Sequence, residues 1–123
     1  MRLSGIPDLL PARVVFGKEN LLETEIRTAA ASDLMSDILA RVEVPDVLLT
    51  RLNNTQVVRT ASVFGIKAVI VVRGRPIDPK MVELAQQEQI VLLSTETSLF
   101  ESCGKLYAQG MRSTTQAEDA QQT

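Results

Sequence analysis

Residues 47–74, VLLTRLNNTQVVRTASVFGIKAVIVVRG, decide the fold of this chain. The stretch begins and ends with short runs of Val, Ile and Leu that do not alternate between apolar and polar residues. Such runs are typical of strands that are covered on both faces of a sheet. Between them, four apolar residues fall at helical spacing: Val57, Val58, Ala61 and Phe64. The spacing stops at Gly65, a residue favoured at helix C-termini, so the stretch predicts a strand, a helix and a second strand.

The same strand and helix unit recurs along the middle of the chain. Three apolar runs predict strands, at residues 44–50, 67–73 and 90–94. The helix after the second strand begins with Asp78 as N-cap and Pro79 at the first helical position, the order that helices prefer. Its expected buried stripe is Met81, Leu84 and Ala85. A third helix follows Thr95 and ends at Gly110. Its expected buried stripe is Leu99, Phe100, Cys103, Leu106 and Tyr107.

Short connections between these strands cross right-handedly, which makes the strands parallel neighbours in one twisted sheet. We therefore predict an α/β fold with a βαβαβα core, in which helices flank a three-stranded parallel sheet. Residues 12–17 and 23–30 predict an N-terminal pair of strands, which either extends that sheet or forms a small separate one. Ser32 is expected to cap a further helix. The expected inner face of that helix is Leu34, Met35, Ile38, Leu39 and Val42.

The chain is expected to hold one domain. A length of 123 residues is enough to bury about two-thirds of the unfolded surface in a single core. From Arg112 onward the sequence has no apolar periodicity. Residues 1–111 are therefore predicted to form the domain, and residues 112–123 a disordered polar tail.

The composition excludes several classes of function. The chain has 13 basic and 15 acidic residues, four aromatic residues and no Trp, which disfavours a nucleic-acid partner. It has no histidine and one cysteine, so that an internal disulfide, a Cys/His zinc site and imidazole catalysis are excluded. No apolar run approaches the roughly 20 residues of a membrane span. We expect a cytoplasmic protein without a membrane partner or a cofactor.

Catalytic motifs are missing from the sequence. The Gly-Lys pairs in FGKEN and CGKL lack the other residues of a phosphate-binding P-loop. Asp46 lies at the beginning of its predicted strand, whereas a phosphoacceptor aspartate would lie at the carboxyl end. Ser94 and Ser98 have no histidine to activate them, and Cys103 belongs to a buried helical stripe. We therefore predict a non-enzymatic protein with no catalytic residues.

The carboxyl ends of the three predicted strands offer a candidate ligand site. Ligands of open parallel α/β sheets bind at this edge, where helix N-termini present unpaired N–H groups. All three strand ends are polar here, at residues 50–54, 73–75 and 94–97. The candidate ligand-binding residues are Thr50, Arg51, Asn53, Asn54, Arg73, Gly74, Ser94 and Thr95. Two interpretations stay open: a pocket for a small anionic metabolite or nucleotide, or residues that only cap helices.

Asp33 and Asp37 are four residues apart, which places them on one face of the predicted helix. Paired carboxylates at this spacing can bind a metal ion. An aspartate in the first turn also stabilises a helix through the helix dipole alone. We favour the structural interpretation and predict no metal site.

Three stretches of the chain resemble the DRTGG domain family: ASDLMSDILA, VLLTRLNNTQVVRTASVFGIKAVIVVRG and MVELAQQEQIVLLSTETSLFESCGKLY. The resemblance covers residues 12 to 110, and its most characteristic parts are Ser32-Asp33-Leu34, Ser36-Asp37 and Leu93-Ser94-Thr95. Where the family has Asp-Arg-Thr-Gly-Gly, this chain has Thr50-Arg51-Leu52-Asn53-Asn54, which keeps only the arginine. Glycines, which let a backbone approach a ligand closely, are missing there.

The resemblance implies a regulatory role. Members of the family occur alone or as regulatory regions attached to phosphotransacetylases and CBS-domain proteins, and they are similar to the N-terminal domain of HPr kinase/phosphatase. Our leading hypothesis is a non-enzymatic domain that senses a small anionic metabolite or nucleotide at the strand ends and acts through a partner protein or its oligomeric state. The alternative is a structural or protein-interaction domain without a ligand. We also predict a symmetric homodimer formed by N-terminal elements.

Overall fold

The computed structural model describes residues 1–74 and 76–114, and one five-stranded sheet forms its centre. Its strands are β1 (Ala12–Phe16), β2 (Ala29–Ala31), β3 (Val47–Thr50), β4 (Ala68–Val72) and β5 (Val91–Thr95). They lie in the order β1-β5-β4-β3-β2. The strands β2 to β5 are parallel, and β1 is antiparallel to β5. The three predicted strands are thus parallel neighbours, as the sequence predicts.

Every residue of β3, β4 and β5 is buried, which confirms that these strands are covered on both faces. Because successive side chains of a strand point to opposite faces, the three strands divide the core into two clusters. One cluster contains Leu49, Ile70 and Leu93. The other contains Leu48, Val69 and Leu92.

Helices cover both faces of the sheet. The first helices, α1 (Ile6–Leu9) and α2 (Glu19–Leu22), lie with α6 (Leu99–Ala108) on the face of Leu49. A 3-10 turn, Leu3–Gly5, precedes α1 on the same face. The crossover helices α3 (Met35–Leu39), α4 (Thr55–Phe64) and α5 (Pro79–Glu88) lie on the face of Leu48. The helix after β5 therefore lies on the opposite face from the three crossover helices.

The two N-terminal strands extend the central sheet, which is one of the two predicted arrangements, but they do not pair with each other. The strand β1 lies at one edge of the sheet beside β5, and β2 lies at the other edge beside β3. The second of these strands is predicted at residues 23–30, but β2 contains only Ala29–Ala31. The parallel core has two open edges whose N–H and C=O groups need partners, and one N-terminal strand satisfies each edge.

The predicted inner face of the helix after Ser32 is largely wrong. The helix begins at Met35, and Ser32 instead forms a local turn with the backbone N–H and C=O of Leu34. Ile38 is buried, whereas Leu34, Leu39 and Val42 are more than half exposed. A helix of five residues is too short to present a continuous stripe to the sheet.

The predicted buried stripe of α6 is also too wide. Leu106 is buried, and Leu99 and Cys103 pack against the same cluster. Phe100 and Tyr107 are 87% and 61% exposed, because they lie one position beyond the residues that face the sheet.

The first residues of the predicted polar tail pack against the domain. The Arg112 N–H donates to the Arg27 carbonyl at 3.1 Å, and the Ala29 N–H donates to the Arg112 carbonyl at 3.0 Å. Thr114 is buried. These residues satisfy part of the open edge of β2, so the tail does not begin at Arg112. Residues 115–123 lie outside the described residues.

The N-cap of α4 gives a direct test of the local structure. The Asn54 Oδ1 atom accepts a hydrogen bond from the Val57 N–H at 3.3 Å. We expect Asn54→Ala to lower the free energy of unfolding by about 1 kcal/mol, because a helix N–H loses its acceptor. Chemical denaturation measures the change. The exposed Gln56→Ala on the same helix serves as the control, and an equal loss in both variants would contradict a capping role.

Candidate ligand crevice at the carboxyl ends of the strands

The connections after β4 and β5 leave the sheet toward opposite faces. The chain passes from β4 to α5 on the face of Leu48, and from β5 to α6 on the face of Leu49. Where adjacent connections diverge in this way, a crevice opens outside the carboxyl ends of the strands. The β4/β5 junction is therefore the candidate crevice among the three strand ends.

A cavity of about 270 Å³ lies at this junction. Its lining residues are Pro11, Arg13, Gly74, Pro76, Ser94, Thr95 and Glu96. Arg13 is contributed by β1, where it lies opposite Ser94 in the antiparallel register. Arg13 is not among the residues predicted from the sequence, because the position of β1 beside β5 is a tertiary contact that no local pattern specifies.

The end of β3 is tied to Asp33 by three hydrogen bonds. The Thr50 hydroxyl donates to Asp33 Oδ1 at 3.0 Å, and the Arg51 N–H donates to the same atom at 2.7 Å. The Arg51 Nε–H donates to Asp33 Oδ2 at 2.6 Å, which makes an ion pair. Two of the predicted ligand-binding residues thus form internal contacts in this structure.

The two asparagines after β3 also make internal contacts. Asn54 caps α4, while Asn53 joins the turn after β3 to the loop after β4. The Asn53 Oδ1 atom accepts from the Asp78 N–H at 2.9 Å, and its Nδ2 donates to the Pro76 carbonyl. The turn that follows VLLT is therefore held by caps and cross-loop hydrogen bonds.

The end of β4 has an unusual backbone. Arg73 and Gly74 have φ angles of 72° and 60°, in the left-handed region that glycine tolerates and other residues rarely adopt. The Gly74 N–H donates to the Thr95 carbonyl at 2.8 Å, which joins the two sides of the crevice. A Cβ atom at Gly74 would lie 2.7 Å from Glu96 Cγ, so the position has no room for a side chain unless Glu96 moves. Arg75 lies outside the described residues.

Ser94 and Thr95 end β5 in different environments. The Thr95 hydroxyl donates to the Leu10 carbonyl at 2.6 Å and accepts from the Thr97 N–H at 3.1 Å. Ser94 is 8% exposed, and its hydroxyl has no hydrogen-bond partner among the residues that the structure describes. Ser94 also lines the cavity.

The crevice combines positive charge with one carboxylate. Arg13 lines the cavity, and Arg73 directly precedes the lining residue Gly74. Both arginines are exposed, and neither forms an ion pair within residues 1–74 and 76–114. Glu96 lies at the rim of the cavity. This set can bind a phosphate through the guanidinium groups and accept a hydrogen bond from a hydroxyl or amino group through Glu96.

Asp33 and Asp37 do not share a helix face, because Asp33 precedes the first residue of α3. Asp37 forms an ion pair with Arg41 at 3.6 Å. Both oxygens of Asp33 accept hydrogen bonds from β3 and the residue that follows it. In the described part of the chain, no group of three or more His, Cys, Asp or Glu residues is placed to bind a metal ion.

Comparison with known proteins identifies the family. The family model described as the DRTGG domain matches residues 6–108. This chain belongs to the DRTGG domain family. The resemblance predicted from the sequence is confirmed. No curated protein matches the chain.

A solved structure has the same fold as this DRTGG domain. It is the crystal structure of the CBS and DRTGG domains of the regulatory region of Clostridium perfringens pyrophosphatase, complexed with its activator, diadenosine tetraphosphate. It superposes with a TM-score of 0.68 at 15% sequence identity, over 94% of this chain and 51% of that one. Our chain thus spans about half the length of that structure.

The tie between Asp33 and the end of β3 predicts a pH-dependent stability for this DRTGG domain. Partial burial raises the pKa of the Asp33 carboxyl, but the hydrogen bonds from Arg51 and Thr50 outweigh that effect and leave the pKa below its ordinary value. A carboxylate with a lowered pKa in the folded state stabilises the protein above its unfolded pKa of about 3.9, and this stabilisation is lost as the pH falls through the folded pKa.

We expect Asp33→Asn to lower the free energy of unfolding at pH 7 by about 2 kcal/mol, the scale of hydrogen bonds to a charged group. The difference from the unmodified chain should shrink as the pH falls below about 3.9, where the carboxyl of the unfolded chain takes up a proton, and should disappear below the lowered pKa of the folded carboxyl. Urea titrations between pH 3 and 7 measure it. The exposed Glu83→Gln is the charge-matched control, and a difference for Asp33→Asn that stays constant with pH would contradict the assignment.

Proposed function

We propose that this chain is a non-enzymatic regulatory domain that senses a small phosphorylated anion, such as a nucleotide, in the β4/β5 crevice. One observation carries the proposal: Arg13, which forms no ion pair among the described residues, lines a cavity at the diverging connections together with Ser94. The exposed Arg73 directly precedes Gly74, another residue of the lining. Such a site fits an anion, because each arginine can donate to two phosphate oxygens at once.

The size of the cavity limits the ligand. At about 270 Å³ it lies at the small end of ligand pockets, and it fits a phosphate with its sugar better than a whole dinucleotide. Glu96 then faces the ribose hydroxyls or an amino group. The solved regulatory region supports nucleotides as the first ligands to test, since its activator is diadenosine tetraphosphate.

None of the described helices is long and apolar enough to cross a bilayer. The cytoplasmic location and the absence of a cofactor stay predictions. We propose that ligand binding acts on a partner protein or changes the oligomeric state of the chain.

A thermal-shift experiment tests the proposal with adenine and guanine nucleotides, diadenosine tetraphosphate and acetyl phosphate. A ligand at 100 times its dissociation constant should raise the free energy of unfolding by about 2.7 kcal/mol. Arg13→Ala and Arg73→Ala should each weaken binding by about tenfold or more, because each removes a charge-assisted hydrogen bond.

Arg27→Ala is the matched control, because Arg27 is exposed near the opposite end of the sheet and only its backbone makes the contacts described here. It should leave ligand binding unchanged. A flat response of the unmodified chain to the whole panel would exclude the ligand hypothesis, and an equal loss in Arg27→Ala would mean non-specific charge attraction.

A second role, as a dimerising interaction domain, is favoured by exposed apolar residues in and around α3. They are Leu34, Leu39, Val42 and Val44. Burying them against a second copy would remove apolar surface from water, and closed two-fold dimers are the commonest oligomers.

We expect light scattering at micromolar concentration to give the mass of a dimer, and Leu39→Asp to give a monomer. Val63→Asp, at an exposed apolar position on α4, is the control and should stay dimeric. A monomeric unmodified chain would contradict the dimer.

A further inference from the structure

A second cavity, of about 220 Å³, lies on the face of the sheet that α6 covers. It is bounded by β2, α6 and the residues that follow α6. Most of its wall is apolar, and the wall includes Ala31, Leu49, Leu106 and Met111. An apolar cavity of about 150 Å³ is large enough to bind benzene, so this cavity has room for a ring or a short alkyl chain.

Arg41, a buried cation, lines this cavity. Its side chain is 8% exposed, and its Nε atom is buried with no hydrogen-bond partner among the described residues. The Nη1 atom donates to the Thr114 Oγ1 at 3.1 Å and to the Thr114 carbonyl at 3.4 Å, and Nη2 forms an ion pair with Asp37 at 3.6 Å. A guanidinium has five N–H donors, and a buried donor without an acceptor is costly. Arg41 thus retains unused hydrogen-bonding capacity at the wall of an apolar cavity.

A second guanidinium lies at the rim. Arg112 lies over the Tyr107 ring, 4.1 Å from its centroid, and both residues line the cavity. The lining therefore offers positive charge on one side and apolar surface on the other. None of the cavity-lining residues described by the structure is an Asp or Glu.

We propose that this cavity binds a small organic carboxylate with a short apolar body. The carboxylate accepts hydrogen bonds from Arg41, and the body packs against Leu49, Leu106 and Met111. Benzoate and hexanoate are the probes of this class that match the volume. The site is distinct from the β4/β5 crevice, so its occupancy is independent of the proposed function.

Calorimetry on the full chain compares each acid with the neutral alcohol of the same shape, benzyl alcohol or 1-hexanol. We expect the acids to bind at least tenfold more tightly than the alcohols, because charge-assisted hydrogen bonds are worth roughly 1.5–3 kcal/mol. From butanoate to hexanoate, affinity should rise about fourfold per methylene, the ratio that corresponds to about 0.8 kcal/mol. Equal binding of acids and alcohols, or no binding of either, would overturn the proposal.

Cys103 gives a readout within the cavity itself, because it is the one cysteine of the chain and lines this cavity. Benzoate should slow its alkylation by iodoacetamide, whereas benzyl alcohol at the same concentration should slow it less. Burial raises the pKa of the Cys103 thiol, so the rate is measured at alkaline pH. Benzoate binding that leaves the alkylation rate unchanged would place the ligand elsewhere and overturn the assignment.

Two variants test separately the charge of Arg41 and the volume of the cavity. Arg41→Met keeps an unbranched side chain without the guanidinium, and it should remove the preference for benzoate over benzyl alcohol. Ala31→Leu fills the cavity and leaves Arg41 in place, so it should abolish the binding of both probes while the chain still melts cooperatively. If Arg41→Met fails to fold, Ala31→Leu alone decides, and unchanged benzoate binding in that variant overturns the proposal.

Discussion

Burial of β3, β4 and β5 on both faces is the constraint on which the rest of this structure depends. Every residue of these strands is removed from water, so each face needs its own layer of helices. The crossover helices supply one layer. The other layer is supplied by α6 together with the N-terminal helices α1 and α2. The direction that the chain takes after β5 follows from this need.

That change of direction also creates the crevice. If the helix after β5 lay on the same face as α4 and α5, all connections would leave one side and no gap would open between β4 and β5. Because α6 crosses to the other face, the two loops diverge, and β1 brings Arg13 to the gap from the neighbouring edge. The packing requirement of the core and the geometry of the candidate site thus have one origin.

Asp33 and Asn53 explain why the polar turn after β3 is not the best ligand site. Asp33 neutralises Arg51 and holds the end of β3, and Asn53 connects this turn with the loop that precedes α5. These contacts satisfy the side chains that a ligand would need. At the β4/β5 junction, in contrast, Arg13 and Ser94 line a cavity, and Arg13 forms no ion pair among the described residues.

Local patterns by themselves determined the parallel strands β3, β4 and β5, the N-cap at Asp78 and the end of α4 at Gly65, because such features depend on residues within one or two turns. The resemblance of short motifs identified the family. Tertiary structure alone decided that β1 and β2 occupy opposite edges and that Phe100 and Tyr107 face outward. It also decided that Arg13 lines the candidate crevice, whereas Arg51 pairs with Asp33. Each of these depends on contacts between residues far apart in sequence, such as Ala12 with Thr95 and Asp33 with Arg51. Such contacts form only when the whole chain is folded, so no short stretch of the sequence can predict them.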